Sequence, residues 1–136
     1  MQLTFHFFAL AALGTGLSGG DRIFIELARR WSHWGHVIHV YVWQEGFNIT
    51  QAQNLNHPNI HFHVIDLLFF PRLGFLVNYI ARIMAGIITG MAVKPKIGDY
   101  YYSCSDFWMD VIPALILKLK DRSHVWFAGW YQTAPS

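Results

Sequence analysis

The segment GTGLSGGD, residues 14–21, joins an apolar run to an amphipathic stretch, and this junction determines the fold class. The apolar run, about Leu3 to Leu10, predicts a strand that is buried on both faces. The stretch from about Asp21 to Trp34 predicts a helix, because its apolar residues recur every three or four positions. A glycine-rich turn between them lets the backbone approach an anion, since free N–H groups at the helix start point toward it. A tight turn without a ligand is an equally weighted alternative.

The rest of the chain continues this alternation of strand and helix. Gly35 ends the first helix, as glycine commonly does just beyond a helix. Further strands are predicted at 36–43, 59–66, 99–103 and 124–130. Further helices are predicted at 73–93 and 110–120. Between the second and third strands, residues 44–58 predict a polar loop with room for one helical turn. This order predicts an α/β fold, in which an open parallel Rossmann-like sheet carries helices on both faces.

Composition limits the classes of function. The 136 residues suit one domain, of which 54% of residues are apolar, 17% aromatic and only 13% charged. Such a chain is expected to bury some apolar surface against a missing domain, a second subunit or a bilayer. The net charge of +2 argues against binding to nucleic acid. A single cysteine, Cys104, excludes an internal disulfide, and we expect a cytoplasmic protein.

Two apolar segments have features of targeting signals. Residues 1–13 lack the basic start of a signal peptide and contain His6, so a buried strand is the preferred interpretation. Residues 73–93 are long enough to span a bilayer, but Asn78 and Arg82 lie near their centre. A charged side chain there costs about 2.5 to 3.5 kcal/mol. We therefore expect a buried helix or a helix on a membrane surface, which leaves peripheral contact with the inner membrane surface open.

A succession of short motifs resembles the family 4 retaining glycosyltransferases. The motifs are SGGDR at 18–22, ELA at 26–28, WGHV at 34–37, DYYYS at 99–103 and IPA at 112–114. The resemblance covers nearly the whole chain and implies a GT-B enzyme, in which two Rossmann-like domains face each other. Residues 1–136 are then expected to form one partial domain, the N-terminal, acceptor-side half. The C-terminal donor domain is expected to be missing, and the fragment to be inactive alone.

The same resemblance implies the chemistry. The whole enzyme is expected to transfer a sugar from a nucleotide-sugar donor to a carbohydrate or lipid acceptor, with no cofactor and no metal. Gly19 and Gly20 are expected to contact the donor phosphates through their backbone N–H groups. Asp21 is expected to cap the helix or to face the acceptor, because a carboxylate beside a diphosphate is repulsive.

The loop after the fourth predicted strand is a second candidate site. Ser103, Ser105 and Asp106 lie where such folds present loops to the ligand crevice. A capping role has equal weight, because helix caps use the same residue types. Nothing in the sequence supplies Cys104 with a base, which argues against a nucleophilic thiol. Family members often carry histidines at the end of the fourth strand and just after the fifth. Here those places hold Tyr102, Cys104 and the pair Gly129 and Trp130, so the catalytic residues stay unassigned.

A nucleotide-cofactor oxidoreductase domain is the alternative function. Residues 14–19 match the Gly-x-Gly-x-x-Gly fingerprint of dinucleotide-binding folds. That fingerprint requires an acidic residue at the end of the second strand, where it binds the ribose. Here the strand ends at Trp43 and Gln44, and the nearest acid, Glu45, lies too far along the chain.

Eight histidines also raise the question of a metal site. His61 and His63 can share one face of a strand and provide at most two ligands. His33, His36 and His39 straddle a helix end and a strand, so their spacing does not place them on one face. Few acids or thiols remain to complete a shell, and no metal site is expected.

Overall fold

The computed structural model describes residues 1–12, 16–65 and 73–129. Within them, strands and helices alternate from β1 to β5. The strands are β1 (Thr4–Ala9), β2 (Val37–Trp43), β3 (Ile60–Ile65), β4 (Asp99–Ser103) and β5 (Val125–Ala128). The helices are α1 (Gly19–His33), α2 (Gln44–Ala52), α3 (Phe75–Ala92) and α4 (Trp108–Lys120).

The five strands form one parallel sheet in the order β3-β2-β1-β4-β5. The central strand is β1, in which Phe7 pairs with Val40 on one side and with Tyr102 on the other. The sheet extends first to one side of β1, through β2 and β3, and then to the other, through β4 and β5. The predicted α/β fold with an open parallel Rossmann-like sheet is therefore confirmed.

Alternating side chains of β1 divide between two cores, one on each face of the sheet. Phe5 and Phe7 pack into a core that includes Phe24 of α1 and Ile49 of α2. Phe8 points the other way, into a cluster that includes residues of α4. This division explains why the first segment reads as a continuous apolar run, since a central strand covered on both faces has no solvent side.

The segment predicted as a polar loop contains a helix of nine residues, α2. Its buried residues are Gly46, Ile49 and Thr50, and a Cβ on Gly46 would lie 3.1 Å from the Cβ of Ala12 and 3.4 Å from that of Val42. Phe47 is partly buried against the core, whereas Asn48, Gln51 and Ala52 are exposed, so apolar residues are few and the helical period is weak in the sequence. The predicted strand ends at Asp66 and Trp130 lie outside the described residues.

Helices α3 and α4 pack backbone to backbone through two glycines of α3. A Cβ on Gly86 would lie 2.7 Å from the Met109 carbonyl oxygen, and a Cβ on Gly90 would lie 2.8 Å from the Cα of Pro113. Pro113 lies inside α4, which begins at Trp108, earlier than predicted. Because proline has no N–H, it donates no helical bond to the Met109 carbonyl.

Gly86→Ala is expected to destabilise the fold by about 1 to 3 kcal/mol, since the added methyl group meets backbone that cannot move without separating the helices. The better helix propensity of alanine offsets at most about 1 kcal/mol of this loss. Urea unfolding measures the effect. Gly19→Ala is the matched control, because a Cβ at Gly19 meets nothing within 4 Å. Equal stability of the two variants would contradict the close packing.

Candidate functional site

The carboxyl ends of β1 and β4 border the point at which the strand order reverses. Open α/β sheets bind their ligands in the crevice at such a point. A cleft of about 50 Å³ lies here, between the start of α1 and the loop 104–107. This volume admits a water molecule or two but no nucleotide, so a ligand of that size has to bind across the mouth of the cleft. Its lining includes Ala11, Ser18, Gly20, Asp21, Ser105 and Asp110.

A reciprocal capping box forms the start of α1. The Ser18 Oγ accepts a hydrogen bond from the Asp21 N–H at 3.1 Å, and the Asp21 Oδ2 accepts one from the Ser18 N–H at 2.9 Å. The structure thus places the Asp21 carboxylate at the helix mouth, where it caps the helix. Gly19 and Gly20 occupy the first turn, whose N–H groups have no acceptor within a helix. The space beside Gly19 is open, so internal packing does not require a glycine there.

Asp110 is a buried acid at the base of the cleft that sequence reasoning missed. Its Oδ1 accepts from the Ala11 N–H at 3.1 Å, and its Oδ2 accepts from the Ser105 hydroxyl at 2.5 Å. The carboxyl group thereby ties the end of β1 to the loop after β4. Burial raises the pKa of Asp110 to about 7, although its hydrogen bonds lower the pKa in part. The signal in the sequence is an isolated acid in an apolar stretch, WMDVI at 108–112.

The three site residues predicted at the end of β4 and in the loop after it have different positions. Ser105 lines the cleft and, besides its bond to Asp110, accepts from the Phe107 N–H at 3.3 Å. The Ser103 hydroxyl is fully buried and accepts from the Trp126 indole at 2.9 Å, which ties it to β5. Asp106 lies in the loop, half-buried, beside the lining of the cleft. The structure thus brings Ser105 together with Gly20 and Asp21.

Cys104 lies in the same loop and is fully buried. Burial raises the pKa of its thiol well above the ordinary value, and the nearby Asp110 and Asp21 carboxylates raise it further. The sulfur is therefore a protonated packing group at neutral pH. This environment is the opposite of the electropositive one that activates a nucleophilic cysteine.

Arg82 fastens α3 to the carboxyl end of β1. Its Nη1 donates to the Leu10 carbonyl at 2.7 Å and to the Ala12 carbonyl at 3.2 Å, and its Nε donates to Asn78 at 2.9 Å. Its Nη2 lies 3.4 Å from the Glu45 carboxylate. The position of Arg82 in the middle of an apolar helix is thus explained by backbone carbonyls that need a donor.

A second cavity, of about 140 Å³, opens at the same edge of the sheet beside Arg82. Its walls are almost entirely apolar, because they include Phe75, Tyr79 and Phe107. Phe107 is half-exposed at its rim. An aromatic cavity next to the crevice suits a ligand with a flat apolar surface better than a charged one.

The features expected of a dinucleotide site are only partly in place. Gly14 lies outside the described residues. The end of β2 carries Trp43, which is buried, and α2 begins directly at Gln44. Glu45, the nearest acid, pairs with Arg82. The position that would bind a ribose hydroxyl therefore offers an indole and no carboxylate.

Four histidines share the sheet face on the side of α3 and α4. His6, His39 and His61 occupy one register across β1, β2 and β3, and His63 lies two residues further along. The His39 Nδ1 lies 3.0 Å from the His63 Nε2, and the His6 Nε2 lies 3.1 Å from Asp99. The sequence placed only His61 and His63 on one face, and did not bring His6 and His39 to them, because strand register is not visible in one sequence.

Burial lowers the pKa of His6, His39 and His63, and it lowers that of His39 to about 4. At His6 this effect of burial outweighs the nearby Asp99 carboxylate, which raises the pKa. The neighbouring imidazoles lower these pKa values further, so these three rings are neutral at pH 7. Within residues 1–12, 16–65 and 73–129, no group of three or more histidine, cysteine, aspartate or glutamate side chains has a geometry that could hold a metal ion.

Comparison of the chain with protein-family models, with curated proteins and with solved structures finds no significant match. The assignment of function therefore depends on the geometry of the crevice and on the motifs in the sequence.

Proposed function

We propose that this chain is the acceptor-side half of a glycosyltransferase that uses a nucleotide-sugar donor. The observation that carries the proposal is the crevice between β1 and β4, where the open first turn of α1 faces the cleft lined by Ser105 and Asp110. The N–H groups of Gly19 and Gly20 and the positive end of the helix favour a phosphate group at this place. The ordered motifs that resemble the family 4 enzymes support the same function.

Sugar transfer on this proposal requires a second, donor-binding domain that closes over the crevice. The diphosphate bridges the two domains, and backbone N–H groups stabilise the negative charge that develops on the leaving group. No metal and no cofactor are needed for that step. The aromatic cavity beside Phe75, Tyr79 and Phe107 then receives the acceptor, a carbohydrate ring or the apolar part of a lipid.

A dinucleotide-dependent oxidoreductase remains the alternative function. Its support is the glycine spacing alone, and the indole of Trp43 at the end of β2 weighs against it. Binding of a nicotinamide cofactor in preference to a nucleoside diphosphate would favour this alternative.

Titration of the isotope-labelled chain with uridine and guanosine diphosphate tests the proposed phosphate site, the N–H groups of Gly19 and Gly20 at the start of α1. We expect weak binding, at about millimolar concentration since half of the site is elsewhere, with the largest NMR shifts at the amides of Gly19 and Gly20. Gly19→Pro removes one of these N–H groups at a helix position that proline tolerates. Ser18 already has the extended backbone, φ −74° and ψ 166°, that a following proline requires.

Gly19→Pro is expected to weaken the diphosphate about tenfold, the equivalent of one charge-assisted hydrogen bond. Gly19→Ala keeps the N–H and is the matched control, with a loss of no more than about threefold, which corresponds to under 1 kcal/mol. Circular dichroism verifies that both variants keep their helices. If Gly19→Pro bound the diphosphate with wild-type affinity, or if the NMR shifts were confined to residues away from α1, the proposed phosphate site at the start of α1 would be wrong.

A further inference from the structure

The outer face of α3 is apolar along its length. Its exposed side chains recur every three or four residues, and each is between 49% and 68% exposed: Leu76, Ile80, Met84, Ile88 and Met91. They extend over about 22 Å of helix. The one charged residue of α3, Arg82, is 1% exposed and faces the sheet, so no charge interrupts this stripe.

Helix α4 continues the surface beside α3. Trp108, Leu115 and Leu119 are exposed on the side of α4 opposite its buried residues. The close packing at Gly86 and Gly90 brings the two stripes together. We call the combined surface the α3–α4 outer face. Apolar surfaces of this extent are rare on soluble monomers and mark a site of association.

Basic residues collect at one end of this face. Half of the ten lysine and arginine residues of the chain follow α3 or end α4: Lys94, Lys96, Lys118, Lys120 and Arg122. The Lys120 Nζ donates to the carbonyls of Gly90 and Met91 at 2.8 and 2.7 Å, which places it at the end of α3. Of the neighbouring acids, Asp99 is buried and Asp121 is partly exposed. The exposed edge is therefore predominantly positive.

We propose that the α3–α4 outer face binds an anionic lipid surface. A positive edge beside an apolar helical face is complementary to acidic head groups above acyl chains. Trp108, exposed at the opposite end of α4 from the lysines, is of the type that prefers the boundary between lipid and water. A protein that bound the α3–α4 outer face instead would need a large apolar surface of its own, with acidic groups at one end of it to match the lysines. The proposal does not depend on the transferase activity.

The helices lie along the membrane in this arrangement. α3 is long and apolar enough to cross a bilayer, but 33% of it is buried inside the domain. A transmembrane position would separate Arg82 from the carbonyls of Leu10 and Ala12 and leave the guanidinium in hydrocarbon. Contact through the outer stripe keeps these bonds intact.

Flotation of the whole chain with vesicles tests this proposal. We expect it to float with vesicles of phosphatidylcholine and phosphatidylglycerol, and several-fold less with phosphatidylcholine alone. Raising the salt from about 50 to about 500 mM should weaken binding without abolishing it, because salt screens the lysines but not the apolar contact. Equal or absent binding to both kinds of vesicle would overturn the proposal.

Two sets of variants separate the apolar and basic contributions. Ile80→Ser with Ile88→Ser is expected to reduce the bound fraction about tenfold, and Lys94→Glu with Lys96→Glu to remove the preference for anionic lipid. Ile23→Ser, on an exposed position of α1, is the matched control and should float like wild type. Thermal unfolding without lipid confirms that each variant folds. Folded serine variants that float normally would contradict the proposal.

A fluorescent label identifies the surface that enters the lipid. Met84→Cys places a thiol on the α3–α4 outer face, while the native Cys104 is buried and its raised thiol pKa keeps it unreactive. The label should shift to the blue with anionic vesicles, whereas a label at Arg30→Cys, on α1, should not. A dimer that forms without lipid and buries the Met84→Cys label, with no flotation, would assign the face to a second copy and overturn the lipid proposal.

Discussion

Arg82→Met is expected to lower the free energy of unfolding by about 2 to 6 kcal/mol, because two buried backbone carbonyls lose their donor at about 1 to 3 kcal/mol each. The substitution leaves the Leu10 and Ala12 carbonyls without the guanidinium donor and removes the ion pair between Arg82 and Glu45. Methionine replaces the volume of the side chain but none of its hydrogen bonds. Ordinary domains are stable by only about 5 to 15 kcal/mol, so the variant should unfold at much lower urea concentration.

Arg82→Lys and Arg30→Met are the companions of this experiment. Lysine keeps the charge but lacks the planar fork that reaches the carbonyls and Asn78 together, so we expect an intermediate loss. The Arg30 side chain is 65% exposed and pairs with Glu26, and its loss should move the urea midpoint little, because exposed ion pairs contribute little to stability. Similar urea midpoints for Arg82→Met and Arg30→Met would show that the β1 carbonyls do not depend on the guanidinium.

The sequence predicted the centre of the sheet well because the most buried strand has a strong local signature. β1 is covered on both faces, and its uninterrupted apolar run is visible without any knowledge of its neighbours. Gly35, with φ +86°, marks the end of α1 for a purely conformational reason. In contrast, α2 buries only Gly46, Ile49 and Thr50. The polar residues at most of its other positions weaken the helical pattern in the sequence, so the helix was predicted as a loop.

The candidate site was only partly predictable, because its key residues are determined by contacts between distant elements. Gly20, Asp21 and Ser105 follow from their positions after β1 and β4, where crevices form. The role of Asp110 depends on Ala11, almost a hundred residues away, and no pattern in one sequence shows that pairing. Ser103 was a candidate because serine is common in binding sites, but its hydroxyl accepts a hydrogen bond from the Trp126 indole inside the fold.

Asp110→Asn is expected to change how stability depends on pH. The pKa of Asp110 rises from the reference value of 3.8 to about 7 on folding, so the folded protein takes up a proton between these values. The stabilisation that this proton provides is complete below about pH 4 and is lost as the pH rises to 7. At about 1.4 kcal/mol per pH unit, the wild type should lose roughly 2 kcal/mol between pH 5 and pH 7 relative to Asp110→Asn.

The asparagine variant isolates this effect from the histidines. The pKa values of His6, His39 and His63 are lowered in the fold, so these residues destabilise both proteins as the pH falls below about 6.5, the opposite sign. Urea unfolding of both proteins from pH 5 to pH 8 therefore reports Asp110 as a difference. Parallel profiles would show that the carboxyl group is ionised across this range in the folded state.

Ser105→Ala provides an independent measurement of the same carboxyl group. The Ser105 hydroxyl donates to Asp110 and lowers its pKa, so removing it should extend the loss of stability to higher pH.

The charge of Asp110 also acts on the proposed ligand. A protonated Asp110 repels a diphosphate at the mouth of the cleft less than an ionised one, so nucleoside diphosphate should bind more tightly to the wild type at pH 6 than at pH 8. In Asp110→Asn that preference should shrink, and a preference of equal size in both proteins would place the diphosphate away from this cleft.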